Sequence, residues 1–154
     1  MMDQTEIRYR RARFSTRLPI DRIYTAAHYW LREVESGLWQ VGYTRFATRM
    51  LGEFVEIGFD VDRGGPIEVG RQIGWVEGFK AVSDVYSVIT GEFEAMNPAL
   101  REDITLVETD GYGRGWLYAA RGEPDVKHMT ANKYAALLDG TIDAMLEQDA
   151  DKYA

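Results

Sequence analysis

Cysteine is missing from all 154 residues of the chain. Its absence excludes disulfide bonds, thiolate metal sites and cysteine nucleophiles. The two histidines, His28 and His128, are too few for most histidine-based metal sites. No apolar run is long enough to span a bilayer, and no apolar stretch follows the N-terminal arginines as it does in a secretory signal. We therefore expect a cytoplasmic protein that has no membrane partner.

An excess of basic charge is also missing, because the formal net charge is −7 and the isoelectric point is near 4.9. Nucleic-acid binding depends on lysines and arginines that neutralise phosphates, so nucleic acid is not an expected partner. Hydrophobic residues make up 45% of the chain and charged residues 28%, which is typical of a globular protein. The length fits a single domain with its own hydrophobic core.

Recognisable catalytic motifs are absent too. The chain contains neither a nucleophile-elbow motif nor the lysine-containing phosphate loop of nucleotide-binding proteins. The segment GYGRG at 111–115 repeats glycine but has no helix pattern after it, and we interpret it as a structural turn. We therefore expect no enzymatic activity from the chain itself.

Arginine is concentrated near the N-terminus, where the stretch from Glu6 to Arg22 carries six arginines and two acidic residues. Such a run is usually a solvated arm or an edge strand. The alternative is a docking arm for an acidic partner. We divide the chain into an N-terminal basic arm, residues 1–25, and a single domain, residues 26–154.

A hairpin and a short helix are predicted in the first part of the domain. Between Tyr29 and Tyr43, two stretches rich in aromatic and β-branched residues flank the turn dipeptide at 36–37. Thr44 can cap a helix that ends at Gly52. Its expected inner face consists of Phe46, Met50 and Leu51.

The stretch from 71 to 100 reads as three strands. The first reverses at a sharp tip after Gly78, the second ends at a turn at Thr90-Gly91, and the third stops at Pro98. From Thr130 onward, apolar residues recur at helical spacing, which predicts a C-terminal helix packed as a lid on the sheet. The predicted fold is mainly β: a flattened β-barrel or sandwich with a short internal helix and a C-terminal helix.

Lys80 stands at the predicted tip of the hairpin, where its side chain would project into solvent. On its own this position fits an ordinary exposed lysine equally well. Four segments of the chain give it more meaning: AHYWL at 27–31, VGYTRFATRMLG at 41–52, VEGFKAVSDVYS at 76–87 and DGYGRGWL at 110–117. In order and spacing they resemble the glycine cleavage system H-protein family, whose patterns are S-H-E-W-V, V-G-I-T-D-Y-A-Q-x-x-L-G, V-E-S-V-K-A-x-S-D-V-Y-S and P-Y-G-E-G-W-L. The resemblance implies a lipoyl-domain-like fold.

The resemblance implies that Lys80 is joined to lipoic acid by an amide bond and that the chain is a swinging-arm carrier. It implies a lipoate-attaching enzyme as one partner, and redox or transferase enzymes as others. Glu77 and Asp84 match the acidic residues on either side of the family's lysine, and lipoate-attaching enzymes are expected to read them; the alternative is solvated strand charge. Gly78 and Phe79 replace the family's Ser-Val before the lysine, and Val88 replaces the proline after Y-S.

Two further departures bear on what the arm carries. Tyr29 stands where the family has a glutamate, and Met50 where it often has a histidine, and both family residues are linked to sheltering an aminomethyl group. Tyrosine and methionine cannot balance an ammonium group, so an arm cleft lined by them would suit a neutral or sulfur-bearing cargo. His28 is retained, either as a cleft residue or as a structural histidine.

These departures favour a divergent paralogue similar to the lipoate-binding proteins of bacterial sulfur oxidation, which work with a heterodisulfide-reductase-like complex. One alternative is a glycine cleavage H protein carrying the aminomethyl group, and another is an unmodified binding module on the same fold. A biotin carrier is disfavoured because that family has Met-Lys-Met at the tip, where this chain has Phe79, Lys80 and Ala81.

Overall fold

A computed structural model describes residues 5–152 of the chain. The strands, in chain order, are β1 (Glu6–Arg11), β2 (Phe14–Pro19), β3 (Ile23–Tyr24), β4 (Tyr29–Glu35), β5 (Leu38–Tyr43), β6 (Phe54–Phe59), β7 (Pro66–Ile67), β8 (Gln72–Gly78), β9 (Val82–Tyr86), β10 (Ile89–Met96) and β11 (Tyr118–Pro124). The helices are α1 (Arg45–Leu51), α2 (Ala99–Glu102), α3 (Leu106–Thr109) and α4 (Ala131–Lys152).

Two sheets enclose the main hydrophobic core. One has the strand order β3-β4-β5-β11-β10-β7, and the other has the order β6-β8-β9. Buried side chains of both sheets meet in one cluster, among them Leu31, Val41, Val76, Val85 and Ile89. Their removal from water is the main favourable contribution to folding. The mainly β, flattened sandwich predicted from the sequence is therefore confirmed.

The first predicted hairpin is formed by β4 and β5, with the turn at residues 36–37, and α1 follows it directly. Thr44 caps the helix, since its side-chain oxygen accepts a hydrogen bond from the Ala47 amide at 3.4 Å. Phe46 is buried as predicted, but the placement of Met50 on the inner face is wrong, because 48% of Met50 is exposed. The i, i+4 spacing puts Met50 on the same stripe as Phe46, yet one turn further along, where the helix has passed the edge of the core.

The predicted turn at Thr90-Gly91 is also wrong, since both residues lie within β10. The break between strands comes earlier, at residues 87–88, where the chain passes from the smaller sheet to the larger one. Gly91 lies directly opposite Gly122 of β11, and a Cβ atom at Gly91 would come within 2.0 Å of the Arg121 carbonyl oxygen. The glycine therefore marks a close approach of two strand backbones, which a sequence pattern cannot distinguish from a turn.

The predicted basic arm, residues 1–25, begins with residues 1–4, which lie outside the described part of the chain. Its described part forms the β1–β2 hairpin, which packs on α4, and the short strand β3. Tyr9 and Leu18 of this hairpin share a second buried cluster with Tyr134 and Leu138 of α4. Tyr134 also stacks on Tyr24 of β3 with ring centroids 5.0 Å apart, so α4 covers an edge of the larger sheet, as a lid would. Within residues 5–152, no helix is long and apolar enough to cross a bilayer.

Candidate functional site

Lys80 lies at the tip of the hairpin formed by β8 and β9, as the sequence predicts. The two strands pair antiparallel, with Glu77 opposite Val82 as the last pair before the tip. The tip closes through a hydrogen bond of 2.8 Å from the Gly78 amide to the Ala81 carbonyl oxygen. Residues 79–81 therefore form the reversal, and Lys80 is its central residue.

The backbone of this tip is fixed from behind by the loop between α1 and β6. The Phe79 amide donates to the Glu53 carbonyl oxygen at 2.6 Å, and the Lys80 amide donates to the Leu51 carbonyl oxygen at 3.2 Å. A Cβ atom at Gly78 would lie 2.3 Å from the same Leu51 oxygen, so only glycine allows this approach. The base of the Lys80 side chain is thus held in place while its end stays free.

The Lys80 side chain is exposed and weakly engaged. Its Nζ donates one long hydrogen bond of 3.4 Å to the Arg49 carbonyl oxygen. No carboxylate of the described residues lies within ion-pair distance of it. Phe79, beside it, is 78% exposed. The amine is therefore accessible to a modifying enzyme, and its charge is not needed by a structural ion pair.

Glu77 and Asp84 lie on one face of the hairpin. In the antiparallel register Glu77 faces Val82 and Trp75 faces Asp84, and alternation along each strand puts all four side chains on the same side. Asp84 is exposed and accepts a hydrogen bond of 3.3 Å from the Tyr86 hydroxyl. The two carboxylates predicted beside the attachment point are thus brought to one surface next to it.

His28 lies away from the tip, between α1 and α4. Its Nδ1 is 2.7 Å from the Tyr134 hydroxyl, and its ring packs on Phe46 with centroids 4.6 Å apart. The Tyr134 hydroxyl is also 2.7 Å from the side-chain oxygen of Thr44, the cap of α1. Burial lowers the pKa of His28 to about 4, so its ring is neutral at neutral pH. This environment is that of a structural histidine linking two helices.

Tyr29 and Met50 do not line one cleft. Tyr29 is only 3% exposed, it stacks on Tyr43, and its hydroxyl accepts a hydrogen bond of 3.2 Å from the Tyr86 amide. Burial raises its pKa, which keeps the hydroxyl neutral. The side chain therefore supports the end of β9 from inside the core.

Met50 borders an apolar groove of about 460 Å³ between the β1–β2 turn, α1 and α4. Phe14 and Phe46 line it from one side, and Ile142 and Met145 of α4 line it from the other. A second pocket, of about 570 Å³, adjoins Lys80 and Phe79. Arg49 lines both cavities, so the groove and Lys80 are neighbours on the same surface.

The GYGRG segment is structural, as the sequence indicates. The Trp30 indole donates a hydrogen bond of 3.0 Å to the Gly111 carbonyl oxygen. The Asn97 side-chain amide donates to the carbonyl oxygens of Arg114 and Trp116 at 2.7 and 2.8 Å. Every one of these bonds ties the loop to the sandwich. Among residues 5–152, moreover, no group of acidic or histidine side chains is placed to hold a metal ion.

Comparison with known proteins agrees with this geometry. The sequence profile described as "Glycine cleavage H-protein" matches residues 22–141. The chain belongs to the glycine cleavage H-protein family. One similar protein, the glycine cleavage system H protein of Psychrobacter sp. (strain PRwf-1), is 41% identical over 108 residues, which is 70% of this chain and 83% of the relative. That of Corynebacterium jeikeium is 36% identical over 124 residues, covering 79% of this chain and 97% of the relative.

A solved structure is similar as well. The crystal structure of a glycine cleavage system H protein from Mycobacterium marinum superposes with a TM-score of 0.70 at 33% identity, covering 77% of this chain and 97% of that one. Members of the H-protein family are lipoyl carriers, and Lys80 with its flanking carboxylates lies inside the matched region. The β1–β2 hairpin and the end of α4 lie outside it.

Two residues near Lys80 were missed by the sequence reasoning. Arg45 and Arg49 of α1 both line the pocket beside Lys80. Their i, i+4 spacing on a predicted helix is a signal that they share a face. Without the contact between the α1–β6 loop and the hairpin tip, however, nothing in the sequence connects that face with the lysine.

Proposed function

We propose that Lys80 carries lipoic acid through an amide bond and that the chain is a swinging-arm carrier, which moves intermediates between partner enzymes. The observation that carries this proposal is the position of Lys80, with an exposed amine on a backbone fixed by the Leu51 and Glu53 carbonyl oxygens. A rigid base with a free end is what a carrier needs, because partners then find the start of the arm in a constant place.

The chemistry of attachment suits the site. Amide formation removes the positive charge of Lys80, and the one hydrogen bond of its Nζ, to the Arg49 carbonyl oxygen, can still be made by an amide N–H. Glu77 and Asp84 offer the attaching enzyme two carboxylates beside the lysine. The bound group supplies a dithiolane that is reduced by two electrons, and the protein supplies position.

Intact-mass measurement tests the attachment. The protein is expressed with lipoate and a lipoate-attaching enzyme, beside the variants Lys80→Arg and Lys127→Arg. Lys127 is an exposed loop residue and serves as the matched control. We expect one lipoyl increment in the wild type and in Lys127→Arg, and none in Lys80→Arg. A wild-type protein that takes up no lipoyl group would instead be an unmodified binding module.

For the cargo, we propose a sulfur-bearing group and a role in cytoplasmic sulfur oxidation with a heterodisulfide-reductase-like complex. The support is the departure at Met50, which replaces the imidazole of the family pattern with a thioether; Tyr29 is buried in the core and adds nothing to it. Met50 instead borders the apolar groove that shares Arg49 with the Lys80 pocket. Thioether and aromatic surfaces favour soft, uncharged groups over an ammonium ion, which needs a charged partner when it is buried.

Glycine cleavage is the second candidate, and the names of the similar proteins favour it. Reconstitution distinguishes the two: lipoylated protein is combined with glycine decarboxylase and the aminomethyl-transfer enzyme, and a glycine cleavage H protein serves as positive control. A sulfur carrier is expected to support glycine decarboxylation poorly. Full activity, equal to that of the control, would assign the chain to glycine cleavage and remove the sulfur proposal.

A further inference from the structure

Basic charge is concentrated on the β1–β2 hairpin, which lies outside the region that the family profile matches. Between Glu6 and Arg17 there are five arginines and one glutamate, in a chain whose net charge is −7. Tyr9 of β1 faces inward, so alternation turns Arg8 and Arg10 outward, and the register places Arg17 directly opposite Arg8. The hairpin thus presents one strongly basic outer face.

The orientation of this face is fixed by contacts on the other side of the hairpin. The Tyr9 hydroxyl donates a hydrogen bond of 2.8 Å to Asp139 of α4. Arg11 makes two hydrogen bonds to Asp143, at 2.9 and 2.7 Å. Because β1 is anchored to α4 by side chains of alternating position, its outer arginines project from a fixed surface and not from a loose tail.

Packing and pairing within the chain do not explain the outer arginines. Arg8, Arg10 and Arg13 form no ion pair with any described residue, and Arg17 has one exposed pair with Glu6, at 3.3 Å. Like charges directly opposite one another on paired strands are destabilising. The pair of Arg8 and Arg17 therefore costs stability, and folding alone gives no reason to place it there.

The basic face continues towards the attachment site. The Arg49 guanidinium donates to the Arg13 carbonyl oxygen at 3.4 Å, and the Arg49 carbonyl oxygen accepts from Lys80 Nζ at 3.4 Å. Arg45 lines one cavity together with Arg17 and another together with Lys80. Arginine therefore lines both cavities between the hairpin and Lys80, and Glu108 lines both of them as well. Arg45 also stands where the family pattern V-G-I-T-D-Y-A has an aspartate, so the charge at that position is reversed.

We propose that this arginine face, formed by Arg8, Arg10, Arg13, Arg17, Arg45 and Arg49, docks an acidic rim around the active-site entrance of the redox enzyme that oxidises the reduced arm. The inference rests on the proposed lipoylation of Lys80. It is independent of the cargo, since a carrier left with a dithiol must lose two electrons and two protons to become a dithiolane again. An NAD⁺-linked flavoenzyme accepts both electrons and one proton as NADH and releases the other proton.

A protein partner fits the face better than nucleic acid or a membrane does. The rest of the chain is more acidic than its net charge of −7, so a long polyanion would be repelled beyond the face itself. An acidic rim on a protein partner is local, so it contacts the arginine face without extending over the acidic remainder of the chain. The outer side of the hairpin also presents Arg8, Arg10 and Ser15, without apolar side chains between them that insert into a bilayer.

The test measures oxidation of the reduced, lipoylated protein by the dihydrolipoyl dehydrogenase of the same organism, followed by NADH formation. Wild type is compared with Arg8→Glu/Arg10→Glu and with the charge-matched control Arg71→Glu/Arg101→Glu. Arg71 precedes β8, at the opposite end of that strand from the tip, and Arg101 lies in α2. Free dihydrolipoamide serves as the substrate that has no docking surface. Thermal unfolding and intact mass verify that each variant is folded and loaded.

We expect kcat/KM for the wild type to fall as salt is added, and the Arg8→Glu/Arg10→Glu variant to be about 10-fold slower at low salt with a flatter salt dependence. The control variant should stay within about 2-fold of wild type, and free dihydrolipoamide should be oxidised equally in all mixtures. The inference is overturned if kcat/KM of the lipoylated protein changes neither with salt nor in Arg8→Glu/Arg10→Glu. It is also overturned if the control variant loses as much activity as Arg8→Glu/Arg10→Glu. Either result leaves the proposed lipoylation of Lys80 intact.

Binding to an anionic vesicle or a single-stranded oligonucleotide at physiological salt, lost in Arg8→Glu/Arg10→Glu while oxidation is unchanged, would assign the face to a different class of partner and overturns the inference as well. A protein that takes up no lipoyl group fails earlier, at the mass measurement. That result removes the proposed function together with this inference, so the two failures are distinguishable.

Discussion

Replacing His28 with asparagine should change how the stability of the protein depends on pH. The His28 ring is largely buried, and burial lowers its pKa from 6.5 in the unfolded chain to about 4 in the folded protein. The folded state therefore binds this proton less tightly than the unfolded state does. The stability contributed by neutral His28 is complete above the unfolded pKa, and it is lost as pH falls from 6.5 towards 4.

The size of the effect follows from the two pKa values. Their difference corresponds to at most ~3.4 kcal/mol, and partial exposure of the ring reduces this to about 2 kcal/mol. Asparagine is the appropriate replacement because His28 has a φ of 70°, a left-handed conformation that asparagine tolerates better than most residues. Its amide oxygen can also accept a hydrogen bond from the Tyr134 hydroxyl.

Urea unfolding of both proteins at about pH 7.5 and about pH 4.5 measures the difference. Carboxylates titrate equally in both proteins. At each pH, the free energy of unfolding of His28→Asn is therefore subtracted from that of the wild type, and the difference isolates the contribution of His28. The advantage of the wild type over His28→Asn at the higher pH should shrink by about 2 kcal/mol at the lower pH. An advantage that is the same at both pH values would show that His28 is not held neutral by burial.

Two further substitutions test the tip and the loop that flank the site. In Gly78→Ala the new Cβ atom would lie 2.3 Å from the Leu51 carbonyl oxygen, so we expect about 1–3 kcal/mol lower stability and slower lipoylation of the lysine, measured by urea unfolding and by the time course of intact mass. Wild-type behaviour in both assays would contradict this close approach. In Asn97→Ala the carbonyl oxygens of Arg114 and Trp116 lose their donors in a buried place, which should cost about 2–4 kcal/mol in urea unfolding. A loss below about 1 kcal/mol would indicate that water replaces the amide.

Local patterns predicted the parts of the fold that local chemistry determines. The β4–β5 hairpin, the cap at Thr44 and the tip at Lys80 each follow from turn residues, a capping side chain or strand alternation within a few residues. The sequence around Gly91 predicts a turn because glycine occurs both in turns and at close contacts between strands. The structure needs a glycine there because Gly122, which is distant in sequence, lies opposite it in the sheet.

The candidate site was predictable at its centre and not at its edges. Lys80, Glu77 and Asp84 stand in one continuous motif, so the sequence alone places them together. The family pattern predicts that Tyr29 and Met50 share one cleft, yet Tyr29 lies in the core and Met50 lies on an open groove. Which side of a short helix or strand end faces the core depends on the elements packed against it, and here those include the unforeseen β1–β2 hairpin.

The most direct test is tandem mass spectrometry of the protein purified from its own cells, with the modification localised to a residue. A lipoyl increment on Lys80, and on no other lysine, is the predicted result. Protein from actively growing cells that carries an unmodified Lys80, or a lipoyl group on a different lysine, would contradict the assignment of this chain as a carrier with its arm at the β8–β9 tip.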